Sequence, residues 1–387
     1  FFFKQKTAYE IYQCDWSSDV CSSDLAKSDI DDLVKKALKE KLEKRKVARE
    51  GVVEEVVSET TEDIPEIPAP VAKLAENQEW LSIVIDNKTV PSNFPVTVFK
   101  ENDWDERIQG FIPKINPSYV IDKDIASHIL RAWELEEKVL CYGPTGAGKS
   151  SLIEQLCART GRPFVRLNCT GDMDSSMIFG QLTAKDGSTI WVDGAVTEAV
   201  KYGAVFAWDE WDVTPPEISM GLQWLLEDDG KLFLKEMPGS TKEKQLTPHK
   251  DFRLVAIGNT QGQGDDTGSH AGTNVQNSAT LDRFGTAVYI GYLPSNVELQ
   301  MLSNKWETKV PKKVLGEFVK LAGLIRQGYQ SGQLNLTVSP RSLLSICKKV
   351  AYGCSVRESF ALVYTNKLND TQKKVAEELI GKVLGKY

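Results

Sequence analysis

Eight consecutive residues, Gly143–Ser150, carry the spacing G-x-x-x-x-G-K-S, which is typical of a loop that binds phosphate groups. Its glycines let the backbone turn tightly and point N–H groups at phosphate oxygens, at the N-terminus of the following helix. Lys149 would then reach the β- and γ-phosphates of a nucleoside triphosphate, and Ser150 would bind Mg²⁺. A glycine-rich turn that matches by chance is the alternative. However, an apolar run at 138–142 and helical spacing at 151–160 supply the strand and helix that the motif needs.

Acidic and amide side chains follow two later apolar runs. Asp209 and Glu210 come directly after Val205–Trp208, and Asn259 follows 252–258. At the end of a strand Asp209 would be a second Mg²⁺ ligand, usually through water, while Glu210 could orient or deprotonate an attacking water. The Asn259 amide could bridge that water and the γ-phosphate. An acidic turn and an ordinary turn asparagine are the respective alternatives.

Two arginines extend this set. Arg283 precedes the last apolar run, and Arg341 follows Pro340 at the start of a predicted helix. Each could contact phosphate, one from a neighbouring subunit and one from a helical lid, or could form an ordinary surface ion pair. The predicted catalytic residues are Glu210, Asn259, Arg283 and Arg341; the predicted metal ligands are Ser150 and Asp209; the predicted nucleotide-binding residues are Gly143, Pro144, Thr145, Gly146, Ala147, Gly148, Lys149, Ser150 and Ser151.

Apolar runs that alternate with helical patterns predict the elements that position these residues. Such runs are typical of strands buried on both faces, so the predicted fold class is α/β, with a five-stranded parallel sheet between helices. The predicted strands are 138–142, 163–169, 203–209, 252–258 and 287–290. Turn signals predict β-hairpins at 180–193 and after 231–235. The predicted helices are 125–136, 151–160, 216–228 and, in a C-terminal helical lid, 297–304, 312–330, 340–352, 355–366 and 371–384.

Composition disfavours several classes of protein. The chain of 387 residues is 41% hydrophobic and 26% charged, which is ordinary for a globular protein, and no apolar run approaches the ~20 residues of a membrane span. A net charge of −7 argues against a large cationic surface for nucleic acid. Seven cysteines without C-x-x-C pairs indicate reduced thiols in a cytoplasm. The three histidines have no partners at the spacing of a zinc site.

The residues before the predicted core differ from it in composition. Lys4–Ile11 and Asp15–Leu25 resemble two translated parts of a common sequencing adapter, so 1–25 are expected to be an artefact. The next segment is predicted to be a charged amphipathic helix that either docks on a partner or lies on its own domain. The predicted boundaries are 1–25 for the artefact, 26–57 for this helix, 58–72 for an acidic, proline-rich linker, 73–114 for an accessory segment or lead-in, 115–293 for the α/β core and 294–387 for the lid.

Together these motifs resemble the AAA+ ATPases, specifically the MoxR branch, and most closely the CobS family of cobaltochelatase ATPase subunits. The resemblance covers about 110–306 well and the lid more loosely. It identifies Gly143–Ser150 as Walker A, Asp209 and Glu210 as Walker B, Asn259 as sensor 1, Arg283 as an arginine finger and Arg341 as sensor 2. The similarity to CobS rests on Ile153-Glu154-Gln155, on Pro248-His249 before Phe252-Arg253-Leu254, and on the glycine-rich stretch Gly262–Asn277.

This resemblance implies ATP and Mg²⁺ as cofactors. It also implies a homo-oligomeric ring, usually a hexamer, that remodels a protein partner, often one with a von Willebrand A-type domain. The expected location is the cytoplasm, or the host cytoplasm for a viral protein, without a membrane partner. A cobaltochelatase subunit that drives metal insertion with partner subunits is the alternative function. A nucleic-acid motor is disfavoured by the acidic charge and the lack of aromatic–basic clustering, and an inactive scaffold by the intact motif set.

Overall fold

The computed structural model describes residues 78–79, 82–85, 88–91, 94–171, 173–262, 264 and 272–385, which lie in the unit 72–387 of the chain. The predicted adapter segment, amphipathic helix and linker lie outside the described residues. The strands are β1 Gln78–Glu79, β2 Ser82–Ile85, β3 Lys88–Pro91, β4 Val96–Thr97, β5 Val139–Tyr142, β6 Phe164–Asn168, β7 Gly180–Lys185, β8 Ser188–Asp193, β9 Val205–Asp209, β10 Leu232–Phe233, β11 Gln245–Leu246, β12 Arg253–Gly258 and β13 Thr286–Tyr289. The helices are α1 Glu106–Gln109, α2 Lys123–Glu134, α3 Lys149–Thr160, α4 Ser175–Phe179, α5 Ala195–Tyr202, α6 Pro216–Leu222, α7 Ser278–Asp282, α8 Ser295–Trp306, α9 Lys312–Gln330, α10 Pro340–Ala351, α11 Val356–Val363 and α12 Asp370–Leu384.

The five predicted strands form one parallel sheet in the order β13-β5-β12-β9-β6, which confirms the predicted fold class. Because all five strands run in the same direction, their carboxyl ends meet at one edge of the sheet. The register aligns Asp209 with Asn168 on one side and with Ile257 on the other, and it aligns Gly258 with Tyr142. The residues that follow these strands therefore lie close together.

Both faces of the sheet are buried. On β9, Phe206 and Trp208 pack into one apolar cluster, while Val205 and Ala207 pack into another on the opposite face. Helices α5 and α6 contribute to the first cluster, and α2 and α3 contribute to the second. Each of these four residues therefore has apolar neighbours on its own face, which is why this part of the strand is a continuous apolar run in the sequence.

The segment before the core and the inserted hairpins depart in detail from the predictions. Val96, Trp104 and Ile108 are buried among core residues, so this stretch packs on the α/β core. Both predicted hairpins are present as the antiparallel pairs β7–β8 and β10–β11. The predicted helix at 216–228 is shorter, because α6 ends at Leu222 and continues as the 3₁₀ helix Gln223–Leu226. Helices α1, α4, α5 and α7 were not predicted; they have only four to eight residues each, too few for a clear period.

The C-terminal region is helical as predicted and has its own apolar cluster, built from α8 to α12. The predicted helix at 355–366 is α11 followed by the 3₁₀ helix Thr365–Lys367. No helix in the described part of the chain is both long and apolar enough to cross a membrane.

A buried ion pair holds the lid together. Glu298 on α8 is completely buried, and its carboxylate accepts from the Arg326 guanidinium on α9 at 2.7 and 2.9 Å. Arg326 Nε also donates to the Val338 carbonyl at 2.9 Å, just before α10. Glu298→Ala is expected to lower the free energy of unfolding by about 3–5 kcal/mol, because the largely buried guanidinium would lose its charged partner. Urea unfolding followed by circular dichroism measures this loss.

The control for this prediction is Arg107→Gln, which breaks an exposed ion pair with Asp105 on the surface. Exposed pairs contribute little to stability, because water and salt screen both charges. This variant is expected to unfold at nearly the same urea concentration as the wild type. If Glu298→Ala did the same, the buried pair would not stabilise the lid.

Candidate functional site

The predicted phosphate loop connects β5 to α3 at the carboxyl edge of the sheet. Gly143 and Gly146 have φ values of +148° and +75°, which favour glycine. A Cβ atom on Gly143 would lie 2.1 Å from the Ile290 carbonyl oxygen, and one on Gly146 would lie 2.6 Å from Ser339 Cβ at the start of the lid helix α10. The loop is therefore held between the sheet and the lid. Gly148 is the N-cap of α3 and has no side chain to accept from the first amides of the helix, so those N–H groups stay available to an anion.

Lys149 lies at the centre of the site and is only 8% exposed. Its Nζ donates to the carbonyl oxygens of Gly143 and Pro144 at 2.7 and 3.1 Å, and to Asn259 Oδ1 at 3.0 Å. Burial lowers the pKa of Lys149, and the nearby carboxylates of Glu210, Asp209 and Asp212 oppose that shift. The negative charge of a bound phosphate would, like these carboxylates, favour the protonated form of Lys149.

Ser150 and Asp209, the two predicted metal ligands, are in contact. Ser150 Oγ donates to Asp209 Oδ2 at 2.8 Å, and the Asp209 side chain is 5% exposed. A hydroxyl and a carboxylate are the hard oxygen ligands that Mg²⁺ prefers, and a triphosphate supplies further oxygens. The residues present therefore fit Mg²⁺ bound together with a nucleotide.

Glu210 and Asn259 form the predicted catalytic pair. Asn259 Nδ2 donates to Glu210 Oε2 at 2.9 Å, so one amide joins this carboxylate to Lys149. Glu210 has a left-handed backbone with φ +56°, which is uncommon outside glycine and recurs at functional sites. Burial raises the pKa of Glu210, as do the negative charges of Asp209 and Asp212, whereas Lys149 lowers it. A carboxylate of raised pKa is the stronger proton acceptor.

Two adjoining cavities, of about 260 and 210 Å³, lie beside the loop. The smaller one is polar, and its lining includes Thr145, Lys149, Ser150, Arg166, Asn168, Asp209, Glu210 and Asn259. The larger one is more apolar, and its lining includes Tyr119, Val120, Ala147, Leu293, Met301 and Leu344. Gly146, Gly148, Ser151 and Arg341 line both. A polar end for phosphates next to an apolar slot for a base and sugar is what a nucleoside triphosphate requires.

The structure brings together every predicted site residue except one. Thr145 Oγ1 donates to Asn259 Oδ1 at 3.3 Å, and the Thr145 carbonyl accepts from Tyr292 Oη at 3.2 Å. Arg283 lines neither cavity. Its Nε donates to Glu227 Oε1 at 2.6 Å, and its Nη1 donates to the Ala279 carbonyl at 2.5 Å.

Sequence reasoning missed two residues that organise the polar end of the site. Arg166 on β6 forms an ion pair with Asp209. Asp212 is completely buried, and its Oδ2 accepts from the backbone N–H of Asn259 and Thr260 at 3.0 and 2.9 Å. An acidic residue three positions after Asp209 is a signal that could have identified Asp212. The larger cavity also lacked a sequence signal, because its lining comes from the segment before α2 and from the lid.

Residues 138–284 match the family model described as AAA domain (dynein-related subfamily). The chain is an ATPase, and this segment is similar to AAA domains. The ATPase is 27% identical over 283 residues to the aerobic cobaltochelatase subunit CobS of Sinorhizobium sp, an alignment that covers 71% of this chain and 84% of CobS. It is 36% identical over 118 residues to the protein NorQ of Paracoccus denitrificans, which covers 30% of this chain and 42% of NorQ. The Holliday junction branch migration motor RuvB of Thermotoga maritima aligns with 70% of this chain and 73% of that structure, at 14% identity and a TM-score of 0.39.

The prediction that this chain is an ATPase with an AAA domain is confirmed. The ATPase is related to CobS and NorQ, which supports the resemblance to the MoxR branch. The ring, the partner and the roles of individual site residues stay predictions.

Proposed function

We propose that this chain is a MoxR-type ATPase that assembles into a homo-oligomeric, hexameric ring, binds Mg·ATP where two copies meet, and uses hydrolysis to remodel a protein partner in the cytoplasm. The observation that carries the proposal is the hydrogen-bonded group of Lys149, Glu210 and Asn259 at the edge of the sheet. Ser150 and Asp209 lie beside this group. These side chains line one cavity together with Arg341 of the lid, as phosphate binding and water activation would require.

Each side chain has a distinct role in this proposal. Lys149 binds the phosphates, and Ser150 and Asp209 hold Mg²⁺, which would neutralise phosphate charge when bound. Glu210 accepts a proton from the attacking water, and Asn259 keeps Glu210 oriented through its 2.9 Å hydrogen bond. Arg341 adds positive charge from the lid, so that closing the lid on the core would strengthen phosphate binding.

The position of Arg283 supports a site shared between copies. Its guanidinium lies on Glu227 and lines neither cavity of its own chain. An arginine finger supplied by a neighbouring copy would contact phosphate only in the assembly. Such an arrangement makes hydrolysis depend on ring formation, as a motor that acts on a partner requires.

The test of nucleotide binding is Lys149→Ala. Loss of a charged hydrogen-bond donor to phosphate is expected to weaken ATP binding by about 10–100-fold. Isothermal titration calorimetry with Mg²⁺ present measures the affinity, and phosphate release measures turnover. Lys242→Ala, at an exposed lysine outside both cavities, is the matched control and is expected to bind ATP as the wild type does. Equal affinities of the Lys149 variant and the wild type would contradict the assignment of the phosphate loop.

A cobaltochelatase subunit is the second candidate function, because the alignment with CobS covers most of that protein. In the part of the chain that the structure describes, no group of three or more His, Cys, Asp or Glu side chains could hold a metal ion. Partner subunits would therefore have to supply the cobalt and corrin sites. Genes for those subunits beside this one would favour the chelatase. A Glu210→Gln trap that captured a von Willebrand A-type protein without chelatase activity would favour the remodelling motor, and stimulation of hydrolysis by DNA or RNA would favour a nucleic-acid motor.

A further inference from the structure

Arg166 is a positively charged residue at the candidate metal site to which the motifs assign no role. It lies on the edge strand β6, where the register aligns it with Ala207 of β9. The preceding residue, Val165, packs into the cluster on one face, so Arg166 points to the other face, on which α3 begins. Asp209 points to that same face, because it alternates with Trp208.

One oxygen of Asp209 accepts from two side chains. Arg166 Nε donates to Asp209 Oδ2 at 2.6 Å, and Arg166 Nη2 forms an ion pair with the same oxygen. Ser150 Oγ donates to this oxygen at 2.8 Å. The Asp209 side chain is 5% exposed whereas that of Arg166 is 47% exposed, so the carboxylate is fixed and the guanidinium has room to move.

A guanidinium and a divalent cation compete for such an oxygen. Both need its lone pairs, and two positive charges a few ångströms apart repel each other. Asp209 Oδ2 already accepts from Ser150 and Arg166, so a metal ion bound to this oxygen has to displace a donor. Because the Arg166 side chain is far more exposed than that of Asp209, Arg166 is the group that has room to move.

We propose that Arg166 is a competing counter-ion of Asp209: it neutralises the carboxylate, gives it up when Mg·ATP binds, and so sets how strongly nucleotide binding depends on the metal. This role is a positioning role and rests on the proposed function, since it needs Mg·ATP at this site. It has two consequences of opposite sign. Arg166 favours nucleotide binding without metal, because it offsets negative charge beside the phosphates. It weakens Mg²⁺ binding, because the metal has to displace it.

The experiment compares Arg166→Gln with the wild-type full chain, using a fluorescent, slowly hydrolysed ATP analogue. Affinity is measured in EDTA, and the Mg²⁺ concentration that gives half of the full metal effect is measured by titration. In the variant, the affinity in EDTA is expected to fall about fivefold, and the half-saturating Mg²⁺ concentration is also expected to fall about fivefold. A merely structural defect would weaken binding in both conditions.

Two further variants serve as controls for this experiment. Arg166→Lys retains the charge without the planar fork, so both shifts are expected to be smaller than in Arg166→Gln. Arg107→Gln removes an exposed arginine that lines neither cavity and is expected to change neither quantity. An unchanged or higher Mg²⁺ requirement in Arg166→Gln would overturn the competition while leaving the ATPase intact. A wild-type chain that bound no nucleotide even with Mg²⁺ would overturn the proposed function and this proposal with it.

Discussion

Arg283→Ala is expected to lower the rate of ATP hydrolysis by about 10³–10⁵-fold in the assembled protein, the range for the loss of an arginine finger. The physical reason is that the guanidinium offsets charge that develops on the transferred phosphoryl group. The nucleotide affinity of a single copy should hardly change, because Arg283 lines neither cavity of its own chain. Steady-state phosphate release, measured above the concentration of assembly, gives the rate.

A mixing experiment separates a contribution across copies from one within a chain. Lys149→Ala has an intact finger, and Arg283→Ala has an intact phosphate loop, so each alone should hydrolyse ATP only slowly at an ATP concentration too low to saturate Lys149→Ala. Mixed assemblies contain some interfaces with both groups, and the mixture is expected to hydrolyse ATP well above the sum of the separate rates. If the mixture stayed as inactive as its components, Arg283 would not act on a neighbouring copy.

The Arg283 ion pair provides the matched control. Glu227→Gln removes the partner of Arg283 within the chain but keeps the guanidinium. If Arg283 acts on phosphate, this variant should keep most of the activity. If it only stabilises the fold, both variants should lose activity and stability together, which a thermal unfolding measurement would reveal.

Glu210→Gln is expected to slow hydrolysis by about 10²–10⁴-fold while ATP binding stays close to that of the wild type. The amide has nearly the same shape as the carboxylate and can still accept from Asn259 Nδ2. It cannot accept a proton from water. Single-turnover phosphate release measures the chemical step, and equilibrium titration with ATP measures binding.

Glu243→Gln is the matched control for this prediction. Glu243 is an exposed carboxylate that accepts from the Ser240 backbone N–H and lines neither cavity. It should hydrolyse ATP at the wild-type rate. Unchanged turnover in Glu210→Gln would rule out Glu210 as the proton acceptor. Asp209 would then keep only its role as a metal ligand.

The phosphate loop and the strands could be predicted from the sequence because the residues that form each of them are contiguous in the chain. Gly143–Ser150 is one contiguous segment whose glycines and lysine act within a single turn. The strands are short apolar runs because both faces of the sheet are buried. The lid helices followed from helical spacing, and the structure has them within a few residues of the predicted limits.

Strand order and lid packing decided which further residues lie around the phosphate loop. Arg166 meets Asp209 only because β6 lies beside β9 in the register that the sheet adopts, and 43 residues separate them in the sequence. The slot beside the loop is formed by the segment before α2 and by the lid, where Ser339 lies against Gly146 and Arg341 lines the slot. Strand order and packing depend on the summed contacts of distant segments rather than on any one spacing. The sequence by itself therefore determined which chemistry this protein carries, and the tertiary structure decided which charges lie around that chemistry.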